Sequence, residues 1–127
     1  MSVLVLDAGA LIAIDRGDRD MLSKVWAARR NGEVVRTNAM ALAQAWRDGK
    51  GRQAPLSRAL RTIDICPIHA NDRRKAGELL ATAGMTDAID ATVALLARSG
   101  DQLCTSDVDD LRRLCEAAGN KASVIRC

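Results

Sequence analysis

Phenylalanine and tyrosine are absent from this 127-residue chain, and its large aromatic side chains are Trp26 and Trp46 alone. That argues against a module that stacks successive bases on an aromatic platform; both tryptophans read as packing residues. Histidine is almost absent too. His69 stands alone, and Cys66, Cys104, Cys115 and Cys127 show no CxxC or CxxH spacing. This argues against a zinc site and reads as reduced thiols in a cytoplasmic protein. The first apolar run has no basic segment before it and is interrupted by Asp7 and Asp15, so export is not expected. No other stretch is long enough and free enough of charge to cross a membrane. Repeats, linkers and low-complexity segments are also missing, so residues 1–127 read as one domain, long enough to bury most of the surface its unfolded chain exposes.

What is present is an ordinary globular mixture, 48% hydrophobic and 28% charged, rather than a disordered one. The net charge of +3 is compatible with a polyanionic partner without requiring one. Short apolar segments alternate with helical ones along the whole chain. "VLVLD" (3–7), "EVVRT" (33–37), "IDICPI" (63–68), "DQLCT" (101–105) and "KASVIRC" (121–127) read as strands. Between them lie a short helix over 8–14 and one starting at Asp18 or Asp20 and stopping before Asn31-Gly32. "AMALAQAWRDG" is capped by Thr37 or Asn38, and "RQAPLSRALRT" carries Pro55 near its first turn. "NDRRKAGELLATAG", "TDAIDATVALLARSG" and "DVDDLRRLCEAAG" complete the helices, each closed by a glycine. Such alternation predicts an α/β fold, a parallel sheet with helices on both faces.

In open parallel sheets, function gathers beyond the carboxyl ends of the strands. Asp7 closes the first strand, inside a run whose burial makes an ionised carboxylate expensive unless it is paired, hydrogen-bonded or metal-bound. Asp107 follows the strand "QLCT". Asp87 and Asp90 lie in one helical turn, and their i,i+3 spacing puts both on one face. Taken singly, Asp87 also reads as serving the helix dipole, with Thr86 as cap, and Asp107 as a cap with Asp110 completing an acidic first turn. Asp7 gains little from capping alone. Carboxylates that converge without matching basic groups raise one another's pKa, and a divalent cation relieves that repulsion. An all-oxygen ligand set favours Mg²⁺ or Mn²⁺, which suits phosphodiester hydrolysis.

"VLVLDAGALIAI", "TDAIDATVALLA" and "CTSDVDDL", in this order and at these separations, resemble the acidic motifs of PIN-domain ribonucleases, and most of all VapC-type toxins of bacterial VapBC toxin–antitoxin pairs. The resemblance extends over essentially the whole chain. It implies a three-layer α/β/α sandwich around a parallel sheet of about five strands. It also implies Mg²⁺- or Mn²⁺-dependent hydrolysis of single-stranded RNA, a homodimer, and a small antitoxin protein as partner. By position, Asp7, Asp87 and Asp107 match metal-holding aspartates, Thr105 matches the hydroxyl residue before the last of them, and Asp90 is an additional carboxylate one turn along. The pattern departs at the second motif, where Gln44 stands in place of the usual glutamate and removes one negative charge. Weaker metal binding follows, which Asp90 can offset better than Asp48. Asn38 is expected to cap its helix and to contribute behind the metal ligands. The alternative reading of the lost charge is a PIN-like RNA- or protein-binding module with little or no catalysis. A haloacid-dehalogenase-type phosphotransferase also begins with an aspartate at its first strand's end, but Gly9 stands where that family needs a second one.

From Arg47 to Lys75 there are eight basic residues and only three acidic ones. They read either as a solvated face or as a track for phosphates. Arg47, three residues after Gln44, is the nearest candidate for RNA contact, followed by Lys50 and Arg52. His69 and Cys104 read as structural, Cys104 as a small buried apolar group.

Overall fold

The structure, a computed structural model, describes residues 2–47 and 52–127. Strand β1 (Val3–Leu6) is followed by α1 (Ala8–Asp15) and α2 (Arg19–Arg30), then β2 (Val34–Asn38), α3 (Ala39–Ala45) and α4 (Ala54–Leu60). Strand β3 (Asp64–Cys66), α5 (Ala70–Ala83), α6 (Ala88–Leu96), β4 (Gln102–Thr105), α7 (Val108–Ala118) and β5 (Ser123–Arg126) complete the chain. All five strands are parallel, in the order β3-β2-β1-β4-β5. Right-handed crossovers in that order put α1–α4 on one face and α5–α7 on the other, and the helices of each set pack on one another. The expected α/β/α sandwich is the observed one.

Burial explains why the central strands are so apolar. Leu4, Val5, Leu6, Leu103 and Cys104 of β1 and β4 are covered on both faces, whereas most residues of the edge strands β3 and β5 keep solvent contact. Each fully buried leucine contributes about 1.5–3 kcal/mol relative to exposure. Leu11, Ile14, Met21 and Leu56 fill the first helical layer, and Val93, Leu111 and Leu114 the second. Trp26 and Trp46 are not part of this core. Trp26 is 65% exposed, because α2 buries Met21, Val25 and Ala28 on its opposite side. Trp46 follows the last turn of α3 and is 37% exposed.

Side chains that accept N–H groups define where the helices start. Asp7, Asp18, Asn38 and Asp87 accept from Ala10, Met21, Ala41 and Asp90 at 2.8–3.0 Å, each cap being worth about 1 kcal/mol. The cap before α6 is thus Asp87 itself, not Thr86. Gly84 and Gly119 close α5 and α7 in left-handed conformation. Two helices stop earlier than their glycines suggest. Helix α3 ends at Ala45, where the Gln53 amide donates to Ala45 O (3.1 Å) and accepts from Arg47 N (2.8 Å), replacing the next turn. Helix α6 ends at Leu96, where Asn120 Nδ2 donates to Ala94 O and Ala97 O. Among the described residues, no single helix is long and apolar enough to cross a membrane.

Candidate active site

Connections leave β1 toward β2 on one side and β4 toward β5 on the other, so the strand order reverses between β1 and β4. Beyond the carboxyl ends of those two strands lies the crevice where open α/β sheets hold their ligands. Asp7 follows β1 and the segment 105–107 follows β4, locked side by side by the register Leu6↔Cys104 and by Asp7 N donating to Cys104 O (3.2 Å). Strand β2 is tied in by Thr37 Oγ1, which donates to Leu6 O (2.7 Å).

Asp7 is only 4% exposed. Burial pushes its carboxyl above the usual range, against hydrogen bonds from the Thr105 hydroxyl and from the N–H groups of Ala10, Ser106 and Gly9. Asp90 is half-buried and is pushed up further, to about 7. Burial is the largest cause, and the next are the negative charges of Asp87, Asp7, Asp107 and Asp110. The charges of four aspartates therefore converge on Asp90. Within that group, carboxylate oxygens of Asp90, Asp107 and Asp110 lie within 4.8 Å of one another. The hydrogen bond with Asp107 pushes Asp110 up as well.

The capping roles are divided. Asp87 Oδ1 accepts from Asp90 N (3.0 Å) and Asp7 Oδ1 from Ala10 N (2.8 Å), so each of these commits an oxygen to its own helix. Asp107 makes no such cap; its N–H donates to Thr105 Oγ1 (2.9 Å), and its carboxylate meets Asp110 and Asp90. Of the expected carboxylates, Asp90 and Asp107 lie in this group, while Asp7 and Asp87 lie outside it and act on Asp90 through their charge. The structure also adds Asp110, which the sequence offered only as part of an acidic first turn; its signal was the i,i+3 spacing from Asp107, the same as between Asp87 and Asp90.

The other expected residues lie around this core. Asn38 is buried, caps α3, and donates from Nδ2 to Thr92 Oγ1 (3.1 Å), which couples β2 to the helix carrying Asp90. Gln44 is exposed on the last turn of α3. Arg47 is exposed, and its guanidinium folds back to donate to Ala43 O and Trp46 O. Arg52 is exposed, while Lys50 and Asp48 lie outside the described residues. Arg58, Arg61, Arg73, Arg74 and Lys75 are exposed as well, and the ion pair found among the described residues is Arg36–Asp64 (2.7 Å). The exposed bases are therefore not neutralised by neighbouring carboxylates.

An octahedral Mg²⁺ with bonds of about 2.1 Å holds opposite ligands about 4.2 Å apart. Three oxygens within 4.8 Å fit such an ion after small side-chain movements. The donor set also fits, being all carboxylate with a hydroxyl behind it and no imidazole or thiolate.

This architecture has a solved counterpart. A chain of the VapBC2 complex from Rickettsia felis, crystallised with a DNA fragment from its promoter, matches with a TM-score of 0.69 over 98% of both chains. The fold is PIN-like. Sequence identity is 16%, so the likeness is one of fold, and neither a family model nor a curated protein matches the sequence.

Proposed function

We propose that this protein is a divalent-cation-dependent endoribonuclease that cleaves single-stranded RNA, acting as the toxin of a toxin–antitoxin pair. The observation that carries this reading is the gathering of aspartates at the switch point, with Asp90 held near pKa 7 by burial and by its acidic neighbours. Asp90, Asp107 and Asp110 would hold Mg²⁺ or Mn²⁺, with Asp7 and Asp87 beside them. The cation would neutralise charge on the phosphate and acidify a water. Binding of the cation would favour the ionised form of Asp90, which could then serve as a ligand. Thr105 and the N–H groups of Gly9, Ala10 and Ser106 hold Asp7 in one orientation. Exposed Arg52, Arg58 and Arg61, with Arg47 and Lys50, attract the RNA backbone. In the reaction, a water oxygen would form a bond to phosphorus as one ester P–O bond breaks; a carboxylate beside the cation ligands would take the water's proton, and the departing ester oxygen would gain a proton from solvent to leave as a hydroxyl.

The toxin role draws on the fold counterpart, itself part of a VapBC complex. An apolar depression lined by Ala39, Leu42, Ala43, Trp46 and Leu60 is where an antitoxin or a second subunit would seat Trp46. The test is cleavage of a labelled single-stranded RNA with Mg²⁺ or Mn²⁺, with chelator, and by Asp7→Asn. Cleavage by wild type that needs the cation and is lost in the variant is the expected result; equal cleavage in all arms refutes the reading. One observation favours a binding module instead: Gln44, exposed and uncharged, leaves the site without the second motif's carboxylate. If wild type is inert and Gln44→Glu turns it into a cation-dependent nuclease, the natural chain is the binding module.

A further inference from the structure

Gly9 is the second residue of α1, a place where a helix gains nothing from glycine itself. A Cβ added there would stand 2.8 Å from Ser106 Cβ, closer still to Ser106 Oγ, and 3.3 Å from Asp7 Oδ1. The Ser106 side chain therefore occupies the volume that any other residue at position 9 would need. Ser106 belongs to the segment between β4 and α7 and directly precedes Asp107. Its N–H and that of Gly9 both bond the Asp7 carboxylate. Thr105 Oγ1, on the other side of Ser106, bonds Asp7 and accepts from Asp107 N. The first turn of α1 and the segment 105–107 are thus fastened together across Asp7, with no room for a side chain between them.

We infer that Gly9 and Ser106 are positioning residues for the carboxylate cluster. The missing side chain at 9 lets Ser106 seat against α1, and that seating sets where Asp107 and Asp110 stand relative to Asp90. The inference rests on reading the cluster as a cation site. If Gly9 were merely a helical residue, alanine there would raise stability by restricting the unfolded chain. A residue required for close approach responds with the opposite sign.

The test compares wild type, Gly9→Ala, Ser106→Gly and the double variant, by Mn²⁺ titration calorimetry and by thermal melting in chelator. Gly9→Ala is expected to melt lower and to bind Mn²⁺ at least about tenfold more weakly, the scale of losing support behind a metal ligand. Ser106→Gly alone changes both less. The double variant is expected to recover most of both, because the new methyl enters the space the serine side chain leaves. Gly9→Ala that melts at or above wild type with unchanged Mn²⁺ affinity overturns the inference, as does a double variant no better than Gly9→Ala. If Gly9→Ala fails to fold, recovery of a folded, Mn²⁺-binding double variant still supports it and continued failure overturns it. Wild type without saturable Mn²⁺ binding removes the cation-site reading itself, a result distinct from wild type and Gly9→Ala binding equally well.

Discussion

The two ends of the central sheet each bury an aspartate, and the fold treats the two in opposite ways. At the amino end, Asp101 is 6% exposed and both of its carboxylate oxygens are engaged by the backbone. Oδ1 accepts from Val3 N (2.9 Å) and Oδ2 from Arg98 N (3.0 Å), while its carbonyl accepts from Ser123 N (2.8 Å), so it joins the starts of β1, β4 and β5. At the carboxyl end, Asp7 is equally buried, but its charge acts on Asp90, as do those of Asp87, Asp107 and Asp110. Burial and like charge there push carboxyls toward their neutral form. Both aspartates are held by N–H groups; Asp101 only fastens strands, whereas the charge of Asp7 also bears on Asp90 and its acidic neighbours.

The comparison is sharpest where the two aspartates lose their charge. Asp7→Asn is expected to lower RNA cleavage by on the order of 10²–10³-fold, since a bound cation contributes several kcal/mol to phosphoryl chemistry. It should leave the circular dichroism spectrum unchanged. Asp101→Asn should cost stability and spare the chemistry. The amide offers one acceptor oxygen where two N–H groups need partners, which costs about 1–3 kcal/mol and lowers Tm by roughly 5–10 °C. Cleavage per folded molecule, measured below the melting range, stays at the wild-type level.

A third prediction concerns pH. In the folded protein Asp90 titrates near 7, against 3.8 when unfolded, so the folded state binds the extra proton between those values. In chelator this cluster's contribution to stability therefore falls as pH rises from about 4 through 7, then levels off. Thermal melts in chelator should show a lower Tm at pH 8 than at pH 5 from this source. Mn²⁺ should raise Tm strongly at pH 8 and little at pH 5, because the cation competes with the proton on Asp90. The smallest expected effect is that of Gln44→Glu. One added charge on an exposed turn should tighten Mn²⁺ by a few-fold at low salt, seen as a leftward shift of the Mn²⁺ dependence of cleavage.

Much of the architecture was legible because it depends on patterns that run along the chain. The near-continuous apolar residues of β1 and β4 announce strands covered on both faces, and Asp18, Asn38, Gly84 and Gly119 mark helix ends by local chemistry alone. Asp7, Asp87 and Asp107 were legible from where they fall relative to strand and helix starts. What was not legible depends on groups brought together from distant segments. Gln53 and Asn120 end helices that their sequences would have continued. Thr92 meets Asn38 across 54 residues. Asp101 looked like any strand-leading aspartate until the amino ends of three strands converged on it. Asp110 joined the cluster because the Asp107 carboxylate does not cap α7 and meets Asp110 instead. Gly9 read only as part of the short helix over 8–14, and its importance appears only when Ser106 is seen filling its empty volume.

The most direct test of the central claim is a Mn²⁺ titration at pH 8, by calorimetry or by the loss of free-ion electron spin resonance signal, on wild type, Asp90→Asn and Asp101→Asn. The account predicts saturable binding in wild type, the same binding in Asp101→Asn at a temperature where it is folded, and at least about tenfold weaker binding in Asp90→Asn. Wild type with no saturable binding, or equal affinity in Asp90→Asn, would contradict it.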